Sequence, residues 1–308
     1  MRFLQVARRV TLLLLVNWLV MVTIGIIIGL FFHGVAARFG YGSIFLWCFV
    51  IGMGGAFVSL AISRWMAVWR MGVQVIDPNT AGPGEQRLLE IVHKLARAAG
   101  LAAMPEVGIF DSPEVNAFAT GPSRSNALVA VSSGLLNTMR SSDIEGVLGH
   151  EITHIVNGDM VTMTLIQGVV NAFAMFMAEV AAIAISQGSS RDEERGGNFF
   201  MQYMVYQLFS SVFFALGSII VCWFSRWREF RADAGGARLA GRDHMISALR
   251  ALQAVHEAGA DQAAAQQPAF QALMISGKSE GIMGLLFADH PPLEERIARL
   301  EQMPEAES

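Results

Sequence analysis

The sequence predicts a mainly α-helical membrane protein whose water-facing part is an α+β domain. Its 308 residues are 53% hydrophobic and only 16% charged, whereas soluble proteins carry about a quarter charged residues. The apolar residues are concentrated in four runs, at about 10–32, 43–63, 160–186 and 204–225. Each run is long enough to cross a hydrocarbon core of about 30 Å as a helix. We therefore expect four apolar helices, arranged as two hairpins.

The first hairpin occupies residues 1–70, and arginines flank both of its open ends. A cleaved signal peptide is the competing interpretation of the first run, but that run is longer than the usual apolar core of about 7–15 residues. Arg64 and Arg70 follow the second run. By the positive-inside rule, the N-terminus and the chain after Arg64 are expected in the cytoplasm.

Residues 71–159 have the composition of a soluble domain and form its first part. The pattern predicts a helix over Glu85–Ala99 and strands over Glu106–Phe110, Asn116–Thr120 and Ala127–Ser132, with a hairpin-like connection at Gly121–Asn126. A further helix is expected to begin near Ser142, because Ser142 and Glu145 fit a capping box. Its apolar face predicts packing on a core, and Gly146 and Gly149 would let another backbone approach closely.

Residues 160–225 form the second hairpin, and residues 226–308 return to the face of the membrane that carries Arg64. Helices are expected at His244–Ala258 and Leu293–Gln302 in this last part. The net charge of −4 argues against a nucleic-acid-binding surface. The two cysteines both lie in apolar runs, which excludes a disulfide scaffold and a cysteine-ligated zinc site.

An H-E-x-x-H pentapeptide, from His150 to His154, lies at the centre of the chain. On a helix these two histidines stand one turn apart and can share one Zn²⁺, while Glu151 acts on the attacking water. A catalytic zinc needs a third protein ligand, and no further histidine follows at a suitable distance. The third ligand must therefore be a His, Glu or Asp from elsewhere in the chain.

The second hairpin returns Glu229 to the membrane face that carries His154. Glu229 and Asp233 are four residues apart, so both carboxylates lie on one helical face. Glu229 could ligate the metal while Asp233 accepts the other N–H of a ligand histidine. The alternative is a solvated acidic edge that pairs with nearby arginines, namely Arg226, Arg228 and Arg231.

Together these motifs resemble the HtpX heat-shock membrane protease family, which is related to the CAAX-prenyl endopeptidases and the OMA-type mitochondrial proteases. The likeness covers nearly the whole chain and includes the four runs and the segment from Asp289 to Pro292, followed by Arg296. It implies a gluzincin-like metalloprotease domain and a zinc endopeptidase of the bacterial inner membrane. Such an enzyme cuts misfolded membrane proteins at the cytoplasmic face during stress. Arg231, inside the glutamate motif, departs from the family pattern and has no assigned role.

The resemblance also implies a role for each matching residue. His150, His154 and Glu229 would hold one Zn²⁺, Glu151 would be the general base and acid, and Asp233 would support a zinc-bound histidine. His290, positioned by Arg296, would stabilise the oxyanion, although a histidine before two prolines could also merely cap the last helix. The segment Asn116, Ala117, Phe118 and Ala119 would be an edge strand to which unfolded substrate adds.

Two other functions fit part of the sequence. A site-2-type intramembrane protease also uses H-E-x-x-H, but it carries the motif inside a transmembrane helix and adds an aspartate from a Leu-Asp-Gly-like motif. A non-catalytic membrane adaptor with a structural zinc is the second alternative. Glu151 argues against the adaptor, because a purely structural zinc site needs no base at that position.

Overall fold

A computed structural model describes residues 41–189, 195–265 and 290–304 of the chain. Its helices are α1 (Tyr41–Met71), α2 (Pro83–Ala98), α3 (Ser133–Thr138), α4 (Ser141–Asn157), α5 (Asp159–Ser189), α6 (Arg195–Ala240), α7 (Arg242–Ala265) and α8 (Leu293–Glu301). Its strands are β1 (Gln74–Val75), β2 (Glu106–Phe110), β3 (Ala117–Ser123) and β4 (Asn126–Ser132).

Three helices in the described part of the chain are long and apolar enough to cross a membrane. They cover Gly42–Met71, Asp159–Ile185 and Phe200–Ala240, with mean hydropathies of 2.1, 1.9 and 2.0. The protein is therefore an integral membrane protein with a mostly helical fold and a small mixed sheet. The predicted first apolar helix, at about 10–32, lies outside the described residues.

Helix α6 is much longer than the apolar run that predicted it. It has 46 residues and continues without a break from the membrane segment to Ala240. The residues after Ser225 include several arginines, alanines and a glutamate, all good helix formers, so the end of the apolar run does not end the helix. Glu229 and Asp233 therefore lie on the same helix that crosses the membrane.

The sheet has the strand order β1-β2-β4-β3, in which β2 and β4 are parallel and the other pairs are antiparallel. In the sheet formed by the described residues, β3 is consequently an edge strand. The β3–β4 connection is shorter than predicted, because β3 runs to Ser123 and only Arg124 and Ser125 separate the strands. The register shifts between Thr120 and Ser123, where Gly121 has a φ of 139°. This irregularity lets the strand continue through a segment that resembles a loop in sequence.

Each face of the sheet packs against helices. One face joins α2 and α4 in the main core, whose largest members include Leu95, Val129 and Ile152. The opposite face packs against the end of α1, where Ala67 joins a cluster with Leu128, Ala130 and Phe118. The sheet is thus held between the catalytic-motif helix α4 and the end of a membrane helix.

Helix α4 begins one residue earlier than expected and is not capped by the predicted box. Its N-cap is Arg140, which makes no side-chain capping bond. Glu145 instead pairs with Lys94 of α2. The prediction of a capping box between Ser142 and Glu145 was therefore wrong. The close approach at the glycines is confirmed, because a Cβ at Gly146 would lie 2.6 Å from the carbonyl oxygen of His244.

Candidate metal centre

Three side chains from two helices converge in a buried site. His150 and His154 extend from α4, and Glu229 extends from α6 with only 1% of its surface exposed. The two Nε2 atoms are 3.1 Å apart. The Glu229 oxygens lie 3.4 Å from His150 Nε2 and 3.3 Å from His154 Nε2. The site therefore presents three potential ligand atoms to one point.

The donor triangle has the dimensions that a tetrahedral zinc ion requires. With ligand distances near 2.0–2.1 Å, the corners of a zinc tetrahedron are about 3.3–3.4 Å apart, close to the observed separations. Two imidazoles and one carboxylate are also ligands of the catalytic type, which leave a fourth position open. His150, His154 and Glu229 thus fit a zinc ion in both spacing and chemistry.

The other nitrogen of each histidine is held by a buried carboxylate. His150 Nδ1 donates to Asp233 Oδ1 over 2.9 Å, and His154 Nδ1 donates to Asp159 Oδ2 over 2.6 Å. These bonds place a proton on Nδ1 of each ring and direct both Nε2 atoms towards Glu229. Such carboxylate–histidine pairs fix the ring orientation and make the imidazole a better metal ligand.

The electrostatics of this site stabilise positive charge. Burial lowers the pKa of the His150 imidazole, but hydrogen bonds with Asp233 and Glu229 outweigh burial and raise it to about 9. Burial likewise lowers the pKa of His154, whereas its bonds with Asp159 and Glu229 leave it above its usual value. Three carboxylates therefore surround two imidazoles, and this surplus of negative charge suits a divalent cation.

Arg296 of α8 contacts Asp233. Its Nε and Nη2 atoms donate to the two oxygens of Asp233 over 2.8 and 2.6 Å. Arg296 was expected to position His290, whereas this two-point ion pair directs its guanidinium at the carboxylate that holds His150. Burial lowers the pKa of Arg296, and its contacts with Asp233 and Glu229 more than compensate. Asp233 thus lies between Arg296 and His150 and contacts both.

His290 lies directly beside the triangle, just before α8. Its Nδ1 donates to Glu229 Oε2 over 2.9 Å, while 65% of its side chain is exposed. Glu151, next to His150 on α4, is half-buried. The structure therefore places an exposed imidazole and a carboxylate next to the three candidate ligands.

The segment Asn116–Ala119 lies along the edge of the sheet next to α4. Ala117, Phe118 and Ala119 pair with β4 through one side of β3 only. Ala117 and Ala119 also pack on the core that contains Ile152 of α4. Asn116 stands just before the strand, and its carbonyl oxygen accepts from the Ser132 N–H over 2.9 Å. Ala117, Phe118 and Ala119 thus belong to the edge strand β3, and the binding of substrate by this segment stays a prediction.

Asp159 is the site residue that the sequence analysis missed. It lies five residues after His154 and is the first residue of α5. Gly158 ends α4 in the left-handed conformation, with a φ of 70°, and this turn brings Asp159 back under the histidine. The signal in the sequence was an aspartate directly after a helix-ending glycine, close behind the second histidine.

Known proteins with similar sequences bear on this site. The model of the family described as "Peptidase family M48" matches residues 84–304. "Protease HtpX homolog" of Bacillus subtilis is 47% identical over 305 residues, covering 96% of this chain and 99% of that protein. "Protease HtpX" of Thioalkalivibrio sulfidiphilus is 52% identical over 255 residues, covering 82% and 83%.

One solved structure extends the comparison to the fold. The crystal structure of S. mikatae Ste24p superposes with a TM-score of 0.59 at 19% sequence identity. The match covers 90% of this chain and 62% of that chain. At this level of identity the likeness concerns the fold alone.

Proposed function

Because the chain belongs to peptidase family M48 and is a membrane-integrated metalloprotease of the HtpX type, we propose that it is a zinc-dependent endopeptidase of membrane-protein quality control. Its substrates are misfolded or damaged membrane proteins and other unfolded polypeptides. It acts at the cytoplasmic face of the bacterial inner membrane and serves the response to stress. The convergence of His150, His154 and Glu229 at zinc-ligand spacing is the observation that supports this proposal most directly.

The residues around the triangle suggest how the hydrolysis proceeds. A Zn²⁺ ion held by His150, His154 and Glu229 would supply Lewis acidity towards the scissile carbonyl and the attacking water. Glu151 takes a proton from the attacking water and later delivers it to the leaving amine. His290, whose ring is anchored through Nδ1 on Glu229, donates a hydrogen bond to the oxyanion of the tetrahedral intermediate.

Asp233 and Arg296 hold the histidine in place during this reaction. Asp233 fixes the Nδ1 proton of His150, and the two bonds from Arg296 fix Asp233. Both side chains are buried, so neither reaches the substrate. Their role is to keep Nε2 of His150 aimed at the zinc ion.

The form of the substrate follows from the edge strand. An extended peptide can add to the edge of β3 that no described strand occupies, through main-chain hydrogen bonds, which are independent of side-chain identity. The segment Asn116–Ala119 would bind it next to α4. This mode of binding favours unfolded stretches, because a folded protein has no free strand to offer.

Arginines support the proposed orientation in the membrane. Arg64 follows the apolar part of α1, and Arg226 and Arg228 follow that of α6. The positive-inside rule then places these helix ends, and the metal centre beside them, in the cytoplasm. This orientation can be measured by labelling a cysteine introduced in place of Arg250. A membrane-impermeant reagent should reach that cysteine only in opened cells.

Replacement of Glu151 by glutamine tests the mechanism. Glutamine keeps the shape but cannot accept the proton, so we expect proteolysis of an unfolded protein to fall by about 10²–10⁴-fold. The zinc content should stay near that of the unaltered protein, because Glu151 is not a ligand. Glu145→Gln on the same helix is the matched control and should retain activity. Full activity of Glu151→Gln would contradict the mechanism, and zinc binding by an unaltered protein that cleaves nothing would favour a non-catalytic adaptor.

A further inference from the structure

We infer that the active site lies at the level of the lipid headgroups, and that the enzyme is thereby selective for peptide bonds next to a transmembrane segment. This inference rests on the proposed function and adds a substrate class to it. It depends on where the apolar parts of three helices end, and on the contacts that join those ends to the metal centre.

The first two ends belong to the helices that carry or hold the metal ligands. The apolar part of α6 ends at Arg226, and Glu229 follows three residues later, which is about 4.5 Å along a helix. Asp159 begins α5 and contacts His154 directly over 2.6 Å. The metal centre is therefore within about one helical turn of both membrane boundaries.

The third end belongs to α1. The β3–β4 hairpin connects this end to the metal centre. Arg64, where the apolar part of α1 ends, donates to Asn126 over 2.7 Å. The neighbouring Arg124 lies next to Gly158, where a Cβ would be 3.3 Å from its Nε. Gly158 directly precedes Asp159. All three boundaries therefore meet on one side of the site, next to the turn at which the edge strand β3 ends.

Aromatic side chains mark the same level independently. Trp227 and Arg231 stand two residues before and after Glu229, and the guanidinium lies 4.7 Å from the centre of the indole ring. Trp65 and Trp69 stack on each other just beyond Arg64. All three tryptophans are exposed, Trp65 and Trp69 by more than half. Exposed tryptophans are typical of the membrane–water interface, and this gives Arg231 a role as an interfacial residue.

A site so close to the membrane predicts which bonds are cut fastest. The rate for a tethered substrate is highest when the tether length matches the height of the site, and it then falls as about the −3/2 power of length. A site about 5–10 Å above the surface is reached by only a few residues. A site about 25 Å above it would be served best by a tether of roughly 20 residues.

A series of single-span substrates measures this height. Each carries a flexible tail in which the same cleavable sequence begins 5, 10, 20 or 40 residues from the span, and each is reconstituted with the enzyme in lipid vesicles. We expect the 5-residue substrate to be cut fastest and the 40-residue substrate about 20-fold more slowly. The same sequence as a free peptide should be slower than either. A maximum at 20 residues or more, or equal rates throughout, would overturn the inference.

The control separates this result from the proposed function itself. Glu151→Gln should cut every one of the substrates at least about 100-fold more slowly than the unaltered enzyme does. If the unaltered enzyme cuts none, including the free peptide, the proposed function fails. If it cuts them all without regard to distance, only the inference about height fails.

A spin label reports the height without any catalysis. In a chain whose Cys48 and Cys222 are replaced by serine, a nitroxide is attached at Arg231→Cys, at Leu216→Cys or at Arg250→Cys. Collisions with oxygen and with a water-soluble nickel chelate give the depth of each label. We expect position 231 to fall between 216 in the hydrocarbon and 250 in water. A label at 231 with the same values as the one at 250 would contradict the inference.

Discussion

At the scale of single residues, the metal centre depends on carboxylates that do not face the metal position. Asp233 holds His150 and Asp159 holds His154, each through Nδ1. The two carboxylates differ in their own support. Asp233 is neutralised by Arg296, whereas Asp159 stands at the start of α5, where the helix N-terminus favours negative charge. Each histidine is thus oriented by a different part of the fold.

Replacement of Asp159 by asparagine should weaken metal binding. Asparagine is nearly the same size but is uncharged and accepts a weaker hydrogen bond, so the orientation and basicity of His154 both suffer. We expect the zinc affinity to fall about 10–100-fold, as measured by competition with a chromophoric chelator. The visible spectrum of the cobalt-substituted protein should change as well.

The matched control for Asp159 is Asp243→Asn. Asp243 is also in the first turn of a helix, but it is exposed. It forms no hydrogen bond with His150 or His154. Its replacement should leave zinc affinity unchanged. Equal zinc affinities of Asp159→Asn and the unaltered protein would show that the 2.6 Å contact does not orient His154.

The sequence was sufficient to nominate some of these residues and not others. The spacing of His150 and His154, and the return of the hairpin to Glu229, follow from local periodicity and topology. The bond between Arg296 and Asp233 joins positions 63 residues apart, and no local pattern encodes it. Asp159 was overlooked because an aspartate at a helix start is ordinary on grounds of capping alone.

At the scale of elements, α4 is packed tightly on two other helices through its glycines. Gly146 faces the backbone of His244 at the start of α7, and Gly149 faces Gly236 and Ala240 of α6. The close contact fixes α4, with both histidines, against the helix that carries Glu229. The spacing of the three candidate ligands therefore depends on the absence of side chains at these two positions.

Replacement of Gly146 by alanine should force these helices apart. The added Cβ would lie 2.6 Å from the His244 carbonyl oxygen, so the backbone must move. We expect a loss of about 1–3 kcal/mol in the free energy of unfolding, seen as a lower melting temperature. Gly84→Ala on α2 is the control, because a Cβ there meets nothing within 4 Å. Equal melting temperatures of Gly146→Ala and Gly84→Ala would show that the close approach of α4 and α7 does not exclude a side chain at position 146.

The elements were predictable where the pattern was local. The strand over Glu106–Phe110 and the helix ending near Ala98 follow from alternation and from a helix-ending glycine. The length of α6 does not, because the charges at Arg226 and Arg228 mark the end of an apolar run and not the end of a helix. Which strand lies at the edge was likewise set by the pairing of β2 with β4, a contact between distant segments.

At the scale of the whole molecule, the metal centre ties the membrane helices to the soluble part. Glu229 belongs to α6, the histidines belong to α4, and His290 stands before α8, so three chain segments meet at one buried carboxylate. A metal ion bound there favours the folded arrangement over any opened one. Its binding free energy is then part of the stability of the fold.

Removal of the metal should therefore destabilise the protein. A zinc concentration about 1,000 times the dissociation constant contributes about 4 kcal/mol, so a chelator should lower the melting temperature measurably and added zinc should restore it. Glu151→Gln should show the same shift, because it keeps all three ligands. Identical melting curves with and without the chelator would exclude this stabilisation.

The unbroken helix α6 has a mechanical consequence. Bilayers differ in thickness, and a stiff helix adjusts to them by tilting. If α6 tilts by about 5° around Arg226, Glu229 shifts by only about 0.4 Å because it stands one turn from the pivot, whereas Ala240 shifts by about 2 Å. A displacement of about 0.5 Å is the limit that a catalytic site tolerates. The short distance from the pivot should therefore keep the three ligands aligned in membranes of different lipid composition.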